Sequence, residues 1–482
     1  MDFISGKYNL FLLAIVALYY LLPLKQRWYA LLAGSLLFYM INMGWATLVF
    51  LAMILLSYFG GRLVEHTRKT SRGWIKKAAL WLSLGVVVLP LLVTKNGNFV
   101  LRSFFGRDGI SWIVPLGISF FTMQMIAYLV DLYRGKIRAQ RNLLKYALFI
   151  SFFPQIVQGP IPRYEQLADQ LVEGHRFKEK EFIKGLQLIL WGFFLKLMIA
   201  DKAAVIVNTV FGQREVYQGA YVLLAGVLYS FQLYADFLSC TTLAQGAAAL
   251  FGISLADNFR HPYFSTSIKE FWGRWHLSLS SWLRDYIYIP LGGNRKGKLR
   301  KYLNLTITFL VSGLWHGAGY KYLFWGCMHA GYQILGEFTL PLRERLYGVL
   351  GFEPQSRAKQ VFRQFFTFLL VMLAWIVFRA DSLRTAFSMI ASIFTVYNPW
   401  ILFGNALFGL GLSWRECLVL VASLLVLYQV SRAQEKGCIR ERVLAQPVIV
   451  RYLIYLCAIF AILIFGTYGH GYDAQSFIYG GF

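Results

Sequence analysis

The sequence predicts an all-α protein that passes through a membrane many times, and three observations predict it. The 482-residue chain is 57% hydrophobic with a mean hydropathy of +0.52, too apolar for a water-soluble globule. Apolar runs recur along its whole length, without the short alternating segments of a transmembrane β-barrel. That leaves helices to satisfy the backbone in lipid. The bases behind the formal net charge of +25 gather in short segments between those runs, the positive-inside pattern rather than a nucleic-acid surface.

Leu10 to Leu24 is the first apolar run. Only Lys7 precedes it as a base and no small-x-small cleavage site follows, so it reads as a transmembrane helix and not a signal peptide. Lys25 and Arg27 then place the N-terminus outside. Trp28 to Val64 has room for two spans broken near Asn42–Gly44, and the bases from Arg68 to Lys77 return the chain inside. Ala78 to Thr94 and Pro115 to Tyr133 follow, the latter carrying Gln124 and Asp131. Tyr146 to Arg163 ends in FPQIVQGPIPR, whose prolines and Gly159 predict a broken or re-entrant helix. Irregular backbone at that depth must be buried in protein or line a wet cavity. Phe182 to Val207 spans again with Lys196 and Asp201 inside it, five apart and so not an ideal helical pair.

Gly219 to Ile253 reads as a long span plus a broken second helix. Gln232 and Asp236 share a face there at i and i+4, and an ionisable residue inside a span is a functional-site suspect by default. Leu323 to Leu340, Val361 to Phe378, Ala386 to Thr395, Trp414 to Val430 and Ile449 to Phe465 are further apolar segments. The expectation is about eleven or twelve membrane segments, counted at roughly 20 residues each. The basic Arg432 to Arg451 segment lies inside, with the C-terminus outside. The sequence shows no internal repeat or soluble domain, so one transmembrane domain over 1–482 is expected.

The chain is read around Phe264 to His316. Ser267 to Ile289 predicts one amphipathic helix, with an apolar stripe from Ile268 through Trp272, Trp275 and Leu279 to Tyr286. Ser267 and Glu270 have capping-box spacing, and Pro290 with Gly292-Gly293 ends the helix. A basic cluster from Arg295 to Lys301 marks the cytoplasmic face. The run Tyr302 to Trp315 then climbs roughly 21 Å at 1.5 Å per residue, which carries His316 deep into the bilayer.

Of seven histidines, His66, His175, His261 and His470 lie near ends, loops or the tail and read as ordinary. His276 sits at the edge of the amphipathic stripe, either packed beside Trp272 and Leu283 or functional. His316 is flanked by Trp315, Gly317 and Gly319, and the small residues allow close approach by a substrate or a neighbouring backbone. A neutral imidazole there suits general-base work on an attacking hydroxyl, against the alternative of a packing histidine that hydrogen-bonds across helices. No GxSxG elbow or GxxxxGK[ST] loop is present, which argues against a covalent serine enzyme and an ATP-driven pump. His316 and His329 are not at metal-ligand spacing and no carboxylate accompanies them. The five cysteines are scattered with no CxxC, so no metal site or disulfide framework is expected.

The segments DNFRHPYFSTSIKEFWGRWHLSLSSWLRDYIYIPLGGNRKG and LWHGAGYKYLFWGCMHAG resemble the membrane-bound O-acyltransferase family, in its bacterial alginate O-acetyltransferase branch. PLGISFFTMQMIAYLVDLYRG, FPQIVQGPIPRYEQ, GFFLKLMIADK, WIVFRA and the C-terminal FIYGGF match in family order over nearly the whole chain. The resemblance implies a ring of tilted helices around a thin centre, with a tunnel leading toward His316 from both sides. Residues 264–335 would be its catalytic core, with His316 and the RWH-motif His276 as catalytic residues. Arg274, Trp275, Asp285, Asn294 and Trp315 would line or brace the site, with Asp236, Gln232 and His329 also expected at substrate. One departure stands out: where the branch reads close to DFSGYSDMAIG, this chain has DFLSCTTLAQG, with Ser239, Cys240 and Thr242 in place of Gly, Tyr and Asp. The branch's usual lysine pair is reduced to Leu195-Lys196.

Activity follows from the same resemblance. It implies transfer of an acyl group, most simply acetyl, from a cytoplasmic thioester to an extracytoplasmic acceptor, for O-acylation of a cell-surface polysaccharide. No cofactor is expected to be bound; acetyl coenzyme A or an acyl carrier protein is the co-substrate. Arg274, Arg284, Arg295 and Lys296 would attract that anionic donor, unless they serve topology alone. The expected partners are the donor, membrane lipid and an extracytoplasmic SGNH-type acyltransferase, with no nucleic acid. The expected location is the cytoplasmic (inner) membrane, as a multi-pass protein. The alternatives are D-alanyl transfer to teichoic acid and a non-enzymatic transporter.

Overall fold

In a computed structural model, residues 3–468 are described apart from 71, 108, 111–113, 350 and 354. His470 and FIYGGF therefore lie outside the described residues. Among the described residues every regular element is a helix. Seven helical stretches are long and apolar enough to cross a bilayer by length and composition. One of them, Leu24–Thr70, holds two expected spans, Arg27–Met43 and Thr47–Thr70. Its break falls at Gly44, which adopts the left-handed φ of 53° that glycine tolerates. The expected eleven or twelve segments also counted shorter pieces. Gly6–Leu21 and Leu383–Thr395 are apolar helices of 16 and 13 residues, below the roughly 20 residues of an untilted span.

The chain divides into two compact units, one from Met1–Ile189 with Cys240–Asp257, the other from Leu190–Ser239 with Asn258–Ile478. In the first, the proline-rich segment breaks as expected: a helix over Leu143–Ser151, one turn over Phe153–Ile156, then irregular chain to Arg163. Ser35 Oγ accepts the Phe153 N–H at 3.1 Å. Gln124 Nε2 donates to the Phe149 carbonyl at 3.4 Å and to Gln155 Oε1 at 3.3 Å. The backbone that leaves the helix here is thus buried in protein and met by side chains, the condition lipid imposes.

Two expectations are corrected. The stretch expected to break after a first span is one continuous helix, Ala220–Ala249. Its glycines are points of close approach and not breaks: a Cβ at Gly246 would crowd the Gly185 carbonyl and Ile189. The single amphipathic helix expected over Ser267–Ile289 is instead three pieces, Ile268–Trp272, Leu277–Leu283 and a π turn over Arg284–Tyr288. The break is made by residues 258–260, which pair with 274–278. Arg260 N–H donates to the Arg274 carbonyl and Leu277 N–H to the Asn258 carbonyl, each at 2.9 Å. Ser278 N–H donates to Asn258 Oδ1 at 3.1 Å. These bonds replace the helical ones that Ser267–Ile289 would have made, so tertiary pairing overrides periodicity.

The capping box is half as expected. Ser267 Oγ accepts the Glu270 N–H at 3.2 Å, but Glu270 Oε2 turns to Thr266, accepting from its N–H at 2.8 Å and its Oγ1 at 2.9 Å.

The second unit is built around an antiparallel hairpin, Gly297–His316 and Tyr320–Phe338. Glycines let its two helices meet backbone to backbone: a Cβ at Gly313 would overlap the Tyr322 carbonyl oxygen, one at Gly326 the Phe309 carbonyl oxygen, and one at Gly317 the Tyr322 ring. Gly319, at φ 134°, makes the corner. Substituting Gly313→Ala should therefore force the hairpin apart. We expect about 1–3 kcal/mol of destabilisation, read as a lower melting temperature of the detergent-solubilised protein, whereas Gly331→Ala, inside the second helix and with no atom within 4 Å of its Cβ, should not lower it.

Candidate active site

His316 is the last residue of its helix, directly before the Gly317–Gly319 corner. It is 2% exposed. Its imidazole lies among aromatic rings, with centroids 4.9 Å from Trp315, 5.1 Å from Trp325 and 5.4 Å from Phe378. The hairpin explains the placement: Trp325 comes from the second helix, and the glycine contacts set how near that helix comes. Phe378 arrives from the Arg357–Arg379 helix.

His276 and His329 are also fully buried. Trp315 stands between His276 and His316, 5.9 Å from the first ring and 4.9 Å from the second. Trp325 stands between His316 and His329, at 5.1 and 4.8 Å. The three imidazoles are thus linked ring by ring through two tryptophans. His329 is further fixed by Trp272, whose indole N–H donates to its Nδ1 at 3.2 Å. That bond leaves Nε2 to carry the neutral ring's proton.

His276 adopts φ 45°, and with His261 it makes up the positive-φ non-glycine residues among those described. A left-handed backbone at a residue with a Cβ costs of order 1–3 kcal/mol and persists only when its surroundings over-determine it. The Asn258 bonds described above do so. They turn the His276 ring away from the surface and onto Phe237, at 4.6 Å edge to face.

The other expected site residues fall into two groups. Trp315 is buried within the histidine series, and Asp236 is buried on the Ala220–Ala249 helix, where it accepts from Lys196 at 2.8 Å. Gln232 is buried one turn before Asp236. The rest have other surroundings. Trp275 packs among Phe271, Phe259 and Trp375 at 5.4, 5.0 and 5.1 Å. Arg274 is held by Glu270 at 2.9 Å and Glu435 at 3.0 Å, on the wall of a polar cleft of about 340 Å³ that Lys359 and Arg363 also line. Burial raises the Glu270 carboxyl, but the Thr266 hydrogen bonds and Arg274 outweigh it and leave the group below its usual value. Asp285 pairs with its neighbour Arg284 at 3.0 Å. Asn294 is exposed on the turn after Gly292-Gly293. That turn is fastened by the buried Asn304, whose Nδ2 donates to the Gly293 carbonyl at 2.9 Å. Among the described residues no group of three His, Cys, Asp or Glu side chains is placed to hold a metal ion.

Residues 136–378 match the membrane-bound O-acyltransferase family. The chain belongs to that family. It is 37% identical over 401 residues to the probable alginate O-acetylase AlgI of Pseudomonas fluorescens, a match covering 82% of this chain and 75% of the relative. It is 32% identical over 403 residues to the peptidoglycan O-acetyltransferase of Helicobacter pylori, covering 76% and 73%. It is 29% identical over 280 residues to the teichoic acid D-alanyltransferase of Bacillus subtilis, covering 55% and 69%. This membrane-bound O-acyltransferase is accordingly a multi-pass membrane enzyme of acyl transfer, and the matched stretch contains His276, His316 and His329.

Sequence reasoning set Trp272 beside His276 but passed over its hydrogen bond to His329, and it passed over Trp325 and Phe378 as partners of His316. A signal existed: Trp325 and His329 lie at i and i+4 on one helix face. The Trp272 bond gives a test. Trp272→Phe keeps an aromatic side chain but removes the N–H and part of the indole, so it should cost more than the about 0.5–1.5 kcal/mol of the hydrogen bond alone, measured by thermal unfolding against Phe309→Leu, which removes a ring but no hydrogen bond to His329.

Proposed function

We propose that the enzyme carries an acetyl group from a cytoplasmic thioester to an acceptor on the outer side of the cytoplasmic membrane, for O-acetylation of a cell-surface polysaccharide. His316 is the general base. It takes the proton from the attacking hydroxyl as the oxygen bonds to the thioester carbonyl, and returns it to the departing thiolate as the carbon–sulfur bond breaks. Acceptor oxygen gains the acetyl group, sulfur leaves as the thiol, and the imidazole ends as it began. The donor is acetyl coenzyme A or an acetylated carrier protein. The outer acceptor is an SGNH-type partner acyltransferase, which passes the group to the polymer.

The observation that carries this reading is the burial of His316 at a helix-ending corner among aromatic rings, with two further buried imidazoles linked to it through Trp315 and Trp325. A water-poor surrounding limits hydrolysis of the thioester. Trp315 and Trp325 fix the ring in one orientation, which general-base work needs. Acetyl in preference to D-alanyl is favoured by the greater coverage and identity of the match to the alginate O-acetylase relative than to the D-alanyltransferase relative.

Substituting His316→Ala should abolish acetyl esters on the surface polymer while the protein stays in the membrane at wild-type amount. The measurement is mass spectrometry of surface polymers from cells carrying either form. Ester content that survives the substitution would remove His316 from the reaction. D-alanyl esters in place of acetyl would replace the acyl group assigned here.

A further inference from the structure

We propose that Lys196, gripping Asp201 and Asp236, is a positioning residue for the acyl-transfer site: it fixes the turn of helix that lays Phe237 against the His276 ring. The proposal rests on the reading that His276 serves acyl transfer.

The geometry begins with a local departure from the α-helix. Residues five apart stand about 140° apart around an α-helix, so Lys196 and Asp201 would not meet. Here Leu195–Ala200 is a π turn, closed by the Asp201 N–H to the Lys196 carbonyl. The wider turn brings i and i+5 to one face, and Lys196 Nζ lies 3.0 Å from Asp201 Oδ1. The same ammonium donates to Asp236 Oδ1 at 2.8 Å, across to the Ala220–Ala249 helix. Lys196 and Asp236 are each 2% exposed, and Asp201 is buried too. A second tie lies nearby, Ser239 Oγ donating to the Gly192 carbonyl at 2.7 Å. Asp236 and Ser239 are three apart, nearly one helical turn, so the ties fix both the rotation and the height of this segment.

Phe237 sits between those two ties. Its ring is wedged between Phe259 at 5.1 Å and His276 at 4.6 Å. Phe259 in turn packs on Trp275 at 5.0 Å, the residue before His276. His276 therefore has a backbone set by Asn258 and a ring face set by Phe237. Charges buried in a membrane protein are costly and are kept where they serve function. An apolar replacement of a buried ion pair is often no less stable, whereas removing one partner strands the other charge. Stability alone thus gives no reason to retain three ionisable groups here. Holding Phe237 in register with His276 does.

The test compares Lys196→Met, Lys196→Arg, Phe237→Ala and His276→Ala. Cells expressing each form are assayed for surface-polymer acetyl esters per molecule of folded protein, the folded amount read by size-exclusion chromatography in detergent. The reactivity of His276 toward diethyl pyrocarbonate is measured by peptide mass spectrometry. We expect Lys196→Met to lower the rate per folded molecule by about 100-fold, the scale of a 1 Å misplacement, and to raise His276 reactivity. Lys196→Arg should recover most of that loss. Phe237→Ala should reproduce both effects with the ion cluster intact, so the proposal stays testable if Lys196→Met does not fold. A wild-type rate per folded molecule in Lys196→Met or in Phe237→Ala overturns the proposal, as does a lost rate with unchanged His276 reactivity. A wild-type rate in His276→Ala overturns instead the role of His276 from which the proposal starts.

Discussion

The close approach of two helix backbones is the contact on which the site depends. Gly313 and Gly326 face carbonyl oxygens of the opposing helix, and Gly317 faces the Tyr322 ring. Each lacks the one atom that would hold the hairpin open. Because the helices meet this closely, Trp325 of one reaches the His316 ring at the end of the other. Backbone-to-backbone packing at these glycines is what pairs the two helices. The same glycines thus serve as the adhesive of the hairpin and as the rulers of the site.

Around that hairpin the polar groups are handled in two ways. The imidazoles are enclosed by rings, whose quadrupoles favour edge-to-face contact and hold orientation without adding charge. His316 meets Trp315, Trp325 and Phe378 at interplanar angles of 75°, 85° and 83°. The charged groups are gathered apart, in Lys196, Asp201 and Asp236, where one ammonium serves two carboxylates. The surface-directed charges behave differently. Arg274 is tied to Glu270 and Glu435 on a polar cleft, where water screens the pairs. Aromatic rings thus surround the His316 imidazole, and the buried charges are gathered with one another.

Two irregularities of backbone give the arrangement its precision. The π turn at Leu195–Ala200 adds a residue to a helical turn and so brings Lys196 over Asp201. The left-handed His276 interrupts what would be a straight amphipathic helix and turns an imidazole inward. Both occur where regular structure could not have placed the side chain, as strained or irregular backbone near working residues often does.

The sequence alone carried the fold class and the breaks at Gly44 and at the proline-rich segment, and it singled out His276 and His316, which the fold buries. These follow from apolar runs, helix-breaking residues and motif wording, all local in the chain. It did not determine that Ala220–Ala249 stays whole, because whether a glycine breaks a helix or admits a neighbour depends on what lies opposite it. It also did not determine the break at His276, because the competing hydrogen bonds come from Asn258 and Arg260, outside the predicted helix. Nor could spacing show that Trp272 holds His329 or that Lys196 joins Asp236 across 40 residues. Contacts between distant residues are set by packing, and only the tertiary structure decides them.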